Sequence, residues 1–210
     1  MNLKDIEIKK RKLWESSIGK KDFVLDIGCW SGEKILSLLP QTENVYGMDI
    51  TNKQFKFANS KIKKKLRVAD VTKKIPFKIK FDYVILSEVL EHVEDDEKAI
   101  KNISNSLKKG GKLILTTPRS IKFFEIWDPA WFRWKFLGGQ KHYHYQEREL
   151  FEKLEENGFE IKEYYIKNNF IWVINRWINV ILEYLFKSKK IYFSKESKGY
   201  FDWVILAEKK

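Results

Sequence analysis

The sequence predicts an α/β protein built on a doubly wound, mostly parallel sheet with helices on both faces. Short apolar runs alternate with amphipathic segments along most of the chain, which is the pattern of successive strand–helix units. The apolar runs are continuous rather than alternating, so both faces of most strands are expected to be covered. Apolar residues make up 43% of the 210 residues, enough for one packed domain over residues 1–210.

The first half of the chain predicts five strands. Residues 3–17 place apolar side chains among charges at helical spacing, which predicts an N-terminal helix within residues 1–21. Pro40 ends the next predicted helix, and Gly110 with Gly111 ends the one before the fifth strand. In order, the predicted elements are helix 3–17, strand 23–27, helix 31–39, strand 45–48, helix 52–60, strand 66–69, strand 81–86, helix 95–107 and strand 112–117.

The second half predicts two further strands and two segments outside the repeating pattern. Residues 119–145 are irregular and rich in aromatic side chains, which predicts either a lid over an apolar ligand or a local cluster that covers the edge of the sheet. A helix at 146–157 and strands at 159–166 and 200–207 follow. The insertion at 167–198 contains an apolar helix, whose polar stripe, about 120° wide, consists of Asn175, Arg176, Asn179, Glu183 and Lys187.

Candidate ligand-binding groups follow the first three predicted strands. Gly28 and Gly32 after the first strand allow a tight turn and a close backbone approach to a ligand. Asp49 ends the second strand, 23 residues after Asp26, near the spacing at which a carboxylate binds the hydroxyls of a ribose. Asp70 ends the third strand and can accept a hydrogen bond from an exocyclic amine. Ligands of parallel sheets bind at these carboxyl ends.

A dinucleotide does not fit this loop. The Gly-x-Gly-x-x-Gly pattern would need glycines at 28, 30 and 33, where the chain has Gly28, Trp30 and Glu33. Glu33 at the start of the helix would also repel a pyrophosphate.

Several segments, taken in order, resemble the motifs of class I S-adenosylmethionine-dependent methyltransferases. The stretch Phe81 to Val93 is similar to the small-molecule branch that includes ubiquinone-type O-methyltransferases. The resemblance covers residues 22–166 and the last strand. It implies a seven-stranded Rossmann-like sheet and S-adenosylmethionine as cofactor, with S-adenosylhomocysteine as product. The motifs lie at residues 24–32, 45–50, 68–71, 81–93 and 107–113.

The resemblance also implies which residues bind the cofactor. The chain departs from the family at Trp30, where a third glycine is usual, so the indole must point away from the cofactor. The implied residues are Asp26, Gly28, Cys29 and Gly32 around the methionine part, Asp49 on the ribose, Ile50, Asp70 and Val71 on the adenine, and Ser87 and Glu88 beside the methyl donor.

Candidate bases are few because the chain has three histidines. His142 and His144 precede the helix at 146 and are expected over the acceptor, because histidine as a residue type suits a base near neutral pH. The alternative is that they only form hydrogen bonds or lie at the surface. His92 resembles a structural residue of the family. Two histidines two positions apart, without a nearby cysteine, do not predict a metal site.

The acceptor and partners remain open at this stage. A small-molecule or lipid-linked acceptor is the first hypothesis; the formal charge of +12 favours RNA as an alternative, and a non-catalytic interaction protein is the third. Residues 170–187 are expected to contact a membrane surface, a second copy in a homodimer, or their own domain. The charged N-terminus and the single cysteine favour a cytoplasmic protein, with peripheral membrane contact as a variant.

Overall fold

A computed structural model describes residues 14–186 and 199–210, without the side chains of residues 183–186. Most of the predicted helix at 3–17 lies outside the described residues, and residues 14–16 are helical. The predicted insertion at 167–198 is described as far as residue 186.

Seven strands form one sheet in the order β3-β2-β1-β4-β5-β7-β6. The first five strands are parallel, and β7 pairs antiparallel with both β5 and β6. The predicted doubly wound, mostly parallel sheet is therefore confirmed. The strands are β1 (Val24–Ile27), β2 (Val45–Asp49), β3 (Leu66–Val68), β4 (Phe81–Ser87), β5 (Leu107–Pro118), β6 (Phe159–Lys167) and β7 (Asp202–Lys209).

After β1, six α-helices within the described residues flank this sheet. Two separate buried apolar clusters contain alternate residues of the central strands, such as Leu25 in one and Val24 in the other, so both faces of the sheet are covered. The helices are α1 (Glu33–Leu38), α2 (Ser60–Lys63), α3 (Asp96–Ser106), α4 (Pro129–Leu137), α5 (Glu147–Glu156) and α6 (Phe170–Phe186).

Two segments differ from the predicted secondary structure. The predicted helix at 52–60 is instead a short 3-10 helix, Phe55–Phe57, followed by α2. Ala58 is extended and the side chain of Asn59 accepts a hydrogen bond from the backbone of Lys61, so a new helix begins there. The aromatic segment at 119–145, predicted to be irregular, contains α4, which Asp128 caps ahead of a proline.

Helix α6 buries part of its polar stripe against its own domain and leaves several apolar side chains exposed, so contact of these side chains with a membrane surface or a second copy stays a prediction. Asn175 and Asn179 are buried, whereas Ile171 and Ile174 are each 54% exposed. The orientation of α6 is explained by an ion pair, because Arg176 lies 3.0 Å from Asp128 of the aromatic segment.

The strand order places a topological switch between β1 and β4. The chain runs outward from β1 to β3 and then returns to β4 on the other side of β1. The loops that follow these two strands leave in opposite directions, and a crevice opens between them at the carboxyl ends. The residues predicted to bind a ligand lie at this edge.

Candidate functional site

The loop after β1 makes a tight turn against the segment that follows β4. Gly28 has a φ of 74°, a left-handed conformation that favours glycine. A Cβ atom at Gly28 would lie 2.3 Å from Cγ2 of Val89, so a side chain does not fit between the two loops. The Gly28 N–H donates to the carbonyl of Met48 over 2.8 Å, which attaches the turn to β2.

The rest of this loop keeps its conformation despite the tryptophan. Trp30 has a φ of 51°, a conformation uncommon for a bulky side chain, and its indole is 62% exposed. Gly32, with a φ of 81°, precedes α1 as its N-cap residue. The indole therefore points toward solvent while the backbone follows the turn.

Asp49 at the end of β2 is held by backbone N–H groups from two directions. Its Oδ2 accepts from the Trp30 N–H at 3.0 Å, and its Oδ1 accepts from the Thr51 N–H at 3.2 Å. Each carboxylate oxygen retains a second lone pair for a ligand hydroxyl. The neighbouring Ile50 is 73% exposed, which leaves an apolar surface beside the carboxylate.

Asp70 and Val71 follow β3 in a loop braced by helix α3. Hydrogen bonds from the Thr72 hydroxyl and backbone N–H, at 2.8 and 2.9 Å, converge on Oδ1 of Asp70 and lower its pKa. The Asn102 side chain donates to the carbonyl of Val71 over 2.8 Å. These contacts fix the loop that, by the resemblance to class I methyltransferases, is expected to contact the adenine.

The remaining residues of the predicted cofactor set lie in and around the turn after β1 and at the end of β4. Asp26 is buried at the end of β1. Cys29 is also buried, and burial, together with the charges of Asp26 and Asp49, raises the pKa of its thiol to about 12. Ser87 lies 3.0 Å from the hydroxyl of Thr116, oxygen to oxygen.

Glu88 follows β4 with a φ of 56°, a second strained position at this edge. Its Oε1 lies 3.4 Å from Nζ of Lys167 at the end of β6. Burial would raise the pKa of Glu88, but the charges of Lys167 and Arg176 and the hydrogen bond with Thr116 together outweigh burial, so the pKa lies below its ordinary value. The loops after β1, β2 and β4 thus present carboxylates and an exposed apolar side chain around a glycine turn, which fits a nucleoside with a cationic amino-acid tail.

The side chains of His142 and His144 both contact the carboxylate of Asp128. Asp128 was not among the residues predicted from the sequence. The Nε2 atoms of the two histidines lie 3.1 and 3.2 Å from Oδ2 of Asp128. Arg176 of α6 binds the same carboxylate. Burial would raise the pKa of Asp128, but both histidine hydrogen bonds and the charge of Arg176 hold it well below its usual range. The Asp-Pro pair at 128–129, typical of a helix start, is the one local signal that could have found it.

Glu91 and His92 form a second polar group near the end of β4. Glu91 is fully buried, and burial together with the charge of Glu88 raises its pKa well above the ordinary value. Its Oε2 accepts a hydrogen bond from the Thr117 hydroxyl at 3.1 Å. The rings of His92 and His142 pack at a tilt to each other, with their centres 5.0 Å apart.

Two sets of side chains have the composition and spacing of a metal site. They are Glu91, His92 and His142, and Asp128, His142 and His144; within each set the potential ligand atoms lie within 4.8 Å of one another. No metal site was expected from the sequence, because His142 and His144 lie two positions apart without a nearby cysteine. The first set joins residues about 50 positions apart, whereas the second lies within residues 128–144.

Comparison with protein families matches residues 25–115 to the family described as "Methyltransferase domain". A ubiquinone biosynthesis O-methyltransferase from Coxiella burnetii is 32% identical over 103 residues, covering 47% of this chain and 44% of that protein. A tRNA U34 carboxymethyltransferase from Campylobacter fetus is 31% identical over 104 residues, covering 47% and 37%.

Solved structures share the whole architecture. The structure of magnesium protoporphyrin IX methyltransferase from Synechocystis, with bound S-adenosylhomocysteine, has a TM-score of 0.62 and 18% identity, covering 98% of this chain and 81% of that one. At this identity the likeness establishes the fold. The chain spans about half or less of each curated relative, including 42% and 50% of two uncharacterized proteins from Methanocaldococcus jannaschii. Within the described residues, no helix is long and apolar enough to span a membrane.

Proposed function

We propose that this chain, which carries a methyltransferase domain of the class I S-adenosylmethionine-dependent family, transfers a methyl group to a lipid-linked small molecule. The cofactor supplies a methyl group activated by a positively charged sulfur and leaves as S-adenosylhomocysteine. The acceptor atom gains the methyl group and loses a proton. Ubiquinone biosynthesis O-methyltransferase, a similar protein, supports a small-molecule acceptor.

The observation that carries the proposal is the fixed carboxylate of Asp49 beside the exposed Ile50. Backbone N–H groups orient both oxygens of Asp49, so the carboxylate is ready to accept hydrogen bonds from the two ribose hydroxyls. Ile50 offers an apolar face to the adenine, and Asp70 lies at the neighbouring strand end. The glycine turn at Gly28 leaves the backbone open to the amino-acid part.

The protein's contribution to the rate is mainly to position the two substrates. Holding an acceptor in line with an activated methyl group supplies roughly 7–11 kcal/mol. An oxygen or nitrogen acceptor also needs a group that takes its proton, and His142 and His144 are our candidates. Each has its Nε2 on Asp128, and its buried Nδ1 has no partner within residues 14–186 and 199–210.

A lipid-linked acceptor is favoured by the surface around the lid. His144 lines a small pocket with three aromatic side chains, Phe124, Trp172 and Phe201, so the acceptor side has apolar surface beside polar groups. The charged side chains of this pocket are Arg119, Glu125, Asp128 and Asp202. The outer face of α6 carries exposed isoleucines next to this pocket's rim. These features suit an apolar molecule that is taken up from a membrane surface.

We further propose that an anionic lipid surface is the partner of this outer face. Phe123, which is 79% exposed, and Trp127, which is 55% exposed, extend the apolar surface from α6 onto the lid. The indole N–H of Trp177 in α6 donates to the carbonyl of Trp127 over 2.6 Å, so the two segments form one surface. Lys122 lies with its Nζ over the Phe123 ring, and this cation complements anionic headgroups.

Transfer of a labelled methyl group tests the proposed activity. The protein is incubated with S-adenosylmethionine carrying a tritiated methyl group, together with either a total lipid extract or total RNA of a cell. We expect label in the organic phase, and much less with Asp49→Ala protein at a subsaturating concentration of S-adenosylmethionine. Label in RNA alone would overturn the lipid-linked acceptor in favour of the RNA alternative, which the charge of +12 and the tRNA-modifying relative favour. Cofactor binding without transfer to any fraction would favour a non-catalytic interaction protein.

A further inference from the structure

Almost all of the excess positive charge of the chain lies in one segment. Residues 51–80 contain eleven lysine or arginine side chains and a single acidic one, Asp70, which gives a net charge of +10. The whole chain carries +12, so the remaining residues together carry +2. A surface that was evenly rich in lysine would spread this excess along the chain. Its concentration in one segment indicates a surface that meets an anionic partner.

These cations surround the outer edge of the sheet. β3 is the last strand on its side, and within the described residues it pairs with β2 alone. Ile62 before β3 and Ile75 after it belong to the two separate buried clusters, so the flanking segments cover opposite faces of the sheet. Ten of the eleven cations are exposed, all except Lys65. We call the lysine and arginine side chains of residues 53–80 the basic edge.

The charges of the basic edge are not neutralised by neighbouring carboxylates. Within residues 14–186 and 199–210, none of these eleven cations forms an ion pair, whereas Lys34 and Lys108 elsewhere on the surface each pair with a carboxylate. The side chains of Lys65, Arg67 and Lys80 donate instead to backbone carbonyls. Like charges at this density repel one another, and an anionic partner removes that repulsion.

A groove beside β3 brings four of these cations together. Its lining includes the lysines between residues 73 and 80 and, from helix α3, Asn102 and Asn105. No carboxylate is found among the described side chains that line it. Several cations around a concave surface raise the positive potential inside it, which concentrates phosphate groups there. The basic edge therefore offers a recessed path as well as an exposed strand.

The exposed apolar side chains of this segment are too few for membrane insertion. A surface that enters a lipid interface combines cations with several bulky apolar side chains. Among the large apolar side chains of residues 51–80, Phe57 and Val68 are the ones that are mostly exposed. Nζ of Lys56 lies 4.9 Å from the centre of the Phe57 ring. An aromatic ring beside a cation is the arrangement on which a nucleic-acid base stacks while its phosphate is neutralised.

We propose that the basic edge binds a single-stranded nucleic acid through its phosphates. A strand that follows β3 passes cations on both sides of the edge and brings a base within reach of Phe57. The phosphates are common to RNA and DNA, so both are tested. This binding goes beyond the proposed methyl transfer and does not rest on it, because β2 and β1 separate β3 from the methyl-donor end of β4.

Fluorescence anisotropy with a labelled RNA of about 20 nucleotides, and with DNA of the same sequence, tests the proposal. We expect micromolar affinity at low salt. The logarithm of the association constant should fall against the logarithm of the salt concentration with a slope of about −2, as for about three phosphates. Similar affinities for RNA and DNA would support recognition through phosphates, and a preference for RNA would support the proposal and identify the natural ligand.

A pair of triple variants locates the binding surface. Lys64→Ala, Lys73→Ala, Lys74→Ala removes cations from both sides of β3 and should weaken binding at least tenfold, with a shallower salt dependence. The control has the same net charge and replaces exposed lysines near the first residues of β1 and β5, which also form no ion pair within the described chain. It is Lys20→Ala, Lys21→Ala, Lys109→Ala, and it should bind within threefold of wild type. Thermal unfolding confirms that both variants are folded.

Three outcomes would overturn the proposal. One is the absence of binding by folded wild-type protein at low salt. Another is an equal loss of affinity in the two triple variants, which would mean that overall charge rather than the basic edge attracts the nucleic acid. The third is a triple variant of the basic edge that keeps nucleic-acid binding but no longer sediments with vesicles containing phosphatidylglycerol, which would assign the edge to lipid. None of these outcomes depends on S-adenosylhomocysteine binding, which tests the proposed function separately.

Discussion

The backbone N–H of Trp30 donates to Oδ2 of Asp49 over 3.0 Å, so the loop after the first strand orients the carboxylate at the end of the second. The residue that departs from the usual glycine pattern therefore contributes through its backbone, while its indole stays in solvent. Any side chain that tolerates a φ near 51° could supply the same N–H group. The identity of Asp49 matters more to the site than the identity of Trp30.

Replacing Asp49 tests its placement on the ribose. We expect Asp49→Ala to weaken S-adenosylhomocysteine binding at least tenfold, about 1.4 kcal/mol, because two charge-assisted hydrogen bonds are lost. Calorimetric titration measures the affinity. Asp22→Ala is the matched control, since Asp22 precedes β1 at the opposite edge of the sheet and caps only a local turn. Equal affinities for the two variants would refute the placement.

The glycine turn gives a prediction about stability. Gly28→Ala should lower the free energy of unfolding by more than 2 kcal/mol, because the new Cβ would meet Val89 at 2.3 Å and the backbone is left-handed. Gly138→Ala is the control: its φ is 66° and no atom lies within 4 Å of its Cβ, so only the backbone cost of about 1 kcal/mol applies. Urea unfolding measures the free energy of unfolding of both variants. Equal losses in the two variants would show that the loops after β1 and β4 do not pack as described.

Asp128 is expected to be the most sensitive carboxylate of the lid. Asp128→Ala removes the N-cap of α4 and leaves the partly buried Arg176 without its partner, which should cost about 3 kcal/mol. Asp95→Ala removes the N-cap of α3 alone and should cost about 1 kcal/mol. Thermal and urea denaturation compare the two variants. Similar losses would mean that the buried network around Asp128 adds nothing to stability.

Membrane binding through the outer face of α6 can be measured by sedimentation with vesicles. We expect the protein to bind vesicles containing phosphatidylglycerol more tightly than vesicles of phosphatidylcholine. The double variant Ile171→Ser, Ile174→Ser should bind at least tenfold more weakly, because two exposed apolar side chains are lost.

The control for this experiment is Phe57→Ser, which removes another exposed apolar side chain, 68% exposed, from the connection between β2 and β3. It should leave vesicle binding unchanged. If wild-type protein does not sediment with either vesicle, or if the double variant instead dissociates a dimer, the face does not bind membranes.

The sequence predicted the sheet, and it predicted that the candidate cofactor residues would lie along one edge, because both depend on local sequence patterns. Each strand is an apolar run, and Asp49 and Asp70 each come directly after one, so the topology alone places them together. The buried network of the lid could not be predicted in this way. Asp128, His142 and Arg176 are far apart along the chain, and the direction in which α6 faces is decided by the pairing of Arg176 with Asp128 rather than by the pattern of the helix itself.

Binding of S-adenosylhomocysteine to the wild-type protein, measured by titration calorimetry, tests the central claim most directly. We expect one binding site per chain with micromolar affinity, because Asp49, Ile50 and the glycine turn are already in place in the described structure. S-Adenosylmethionine should bind at the same site. No heat from either compound, with protein shown to be folded, would contradict the assignment of this edge of the sheet as a methyl-donor site.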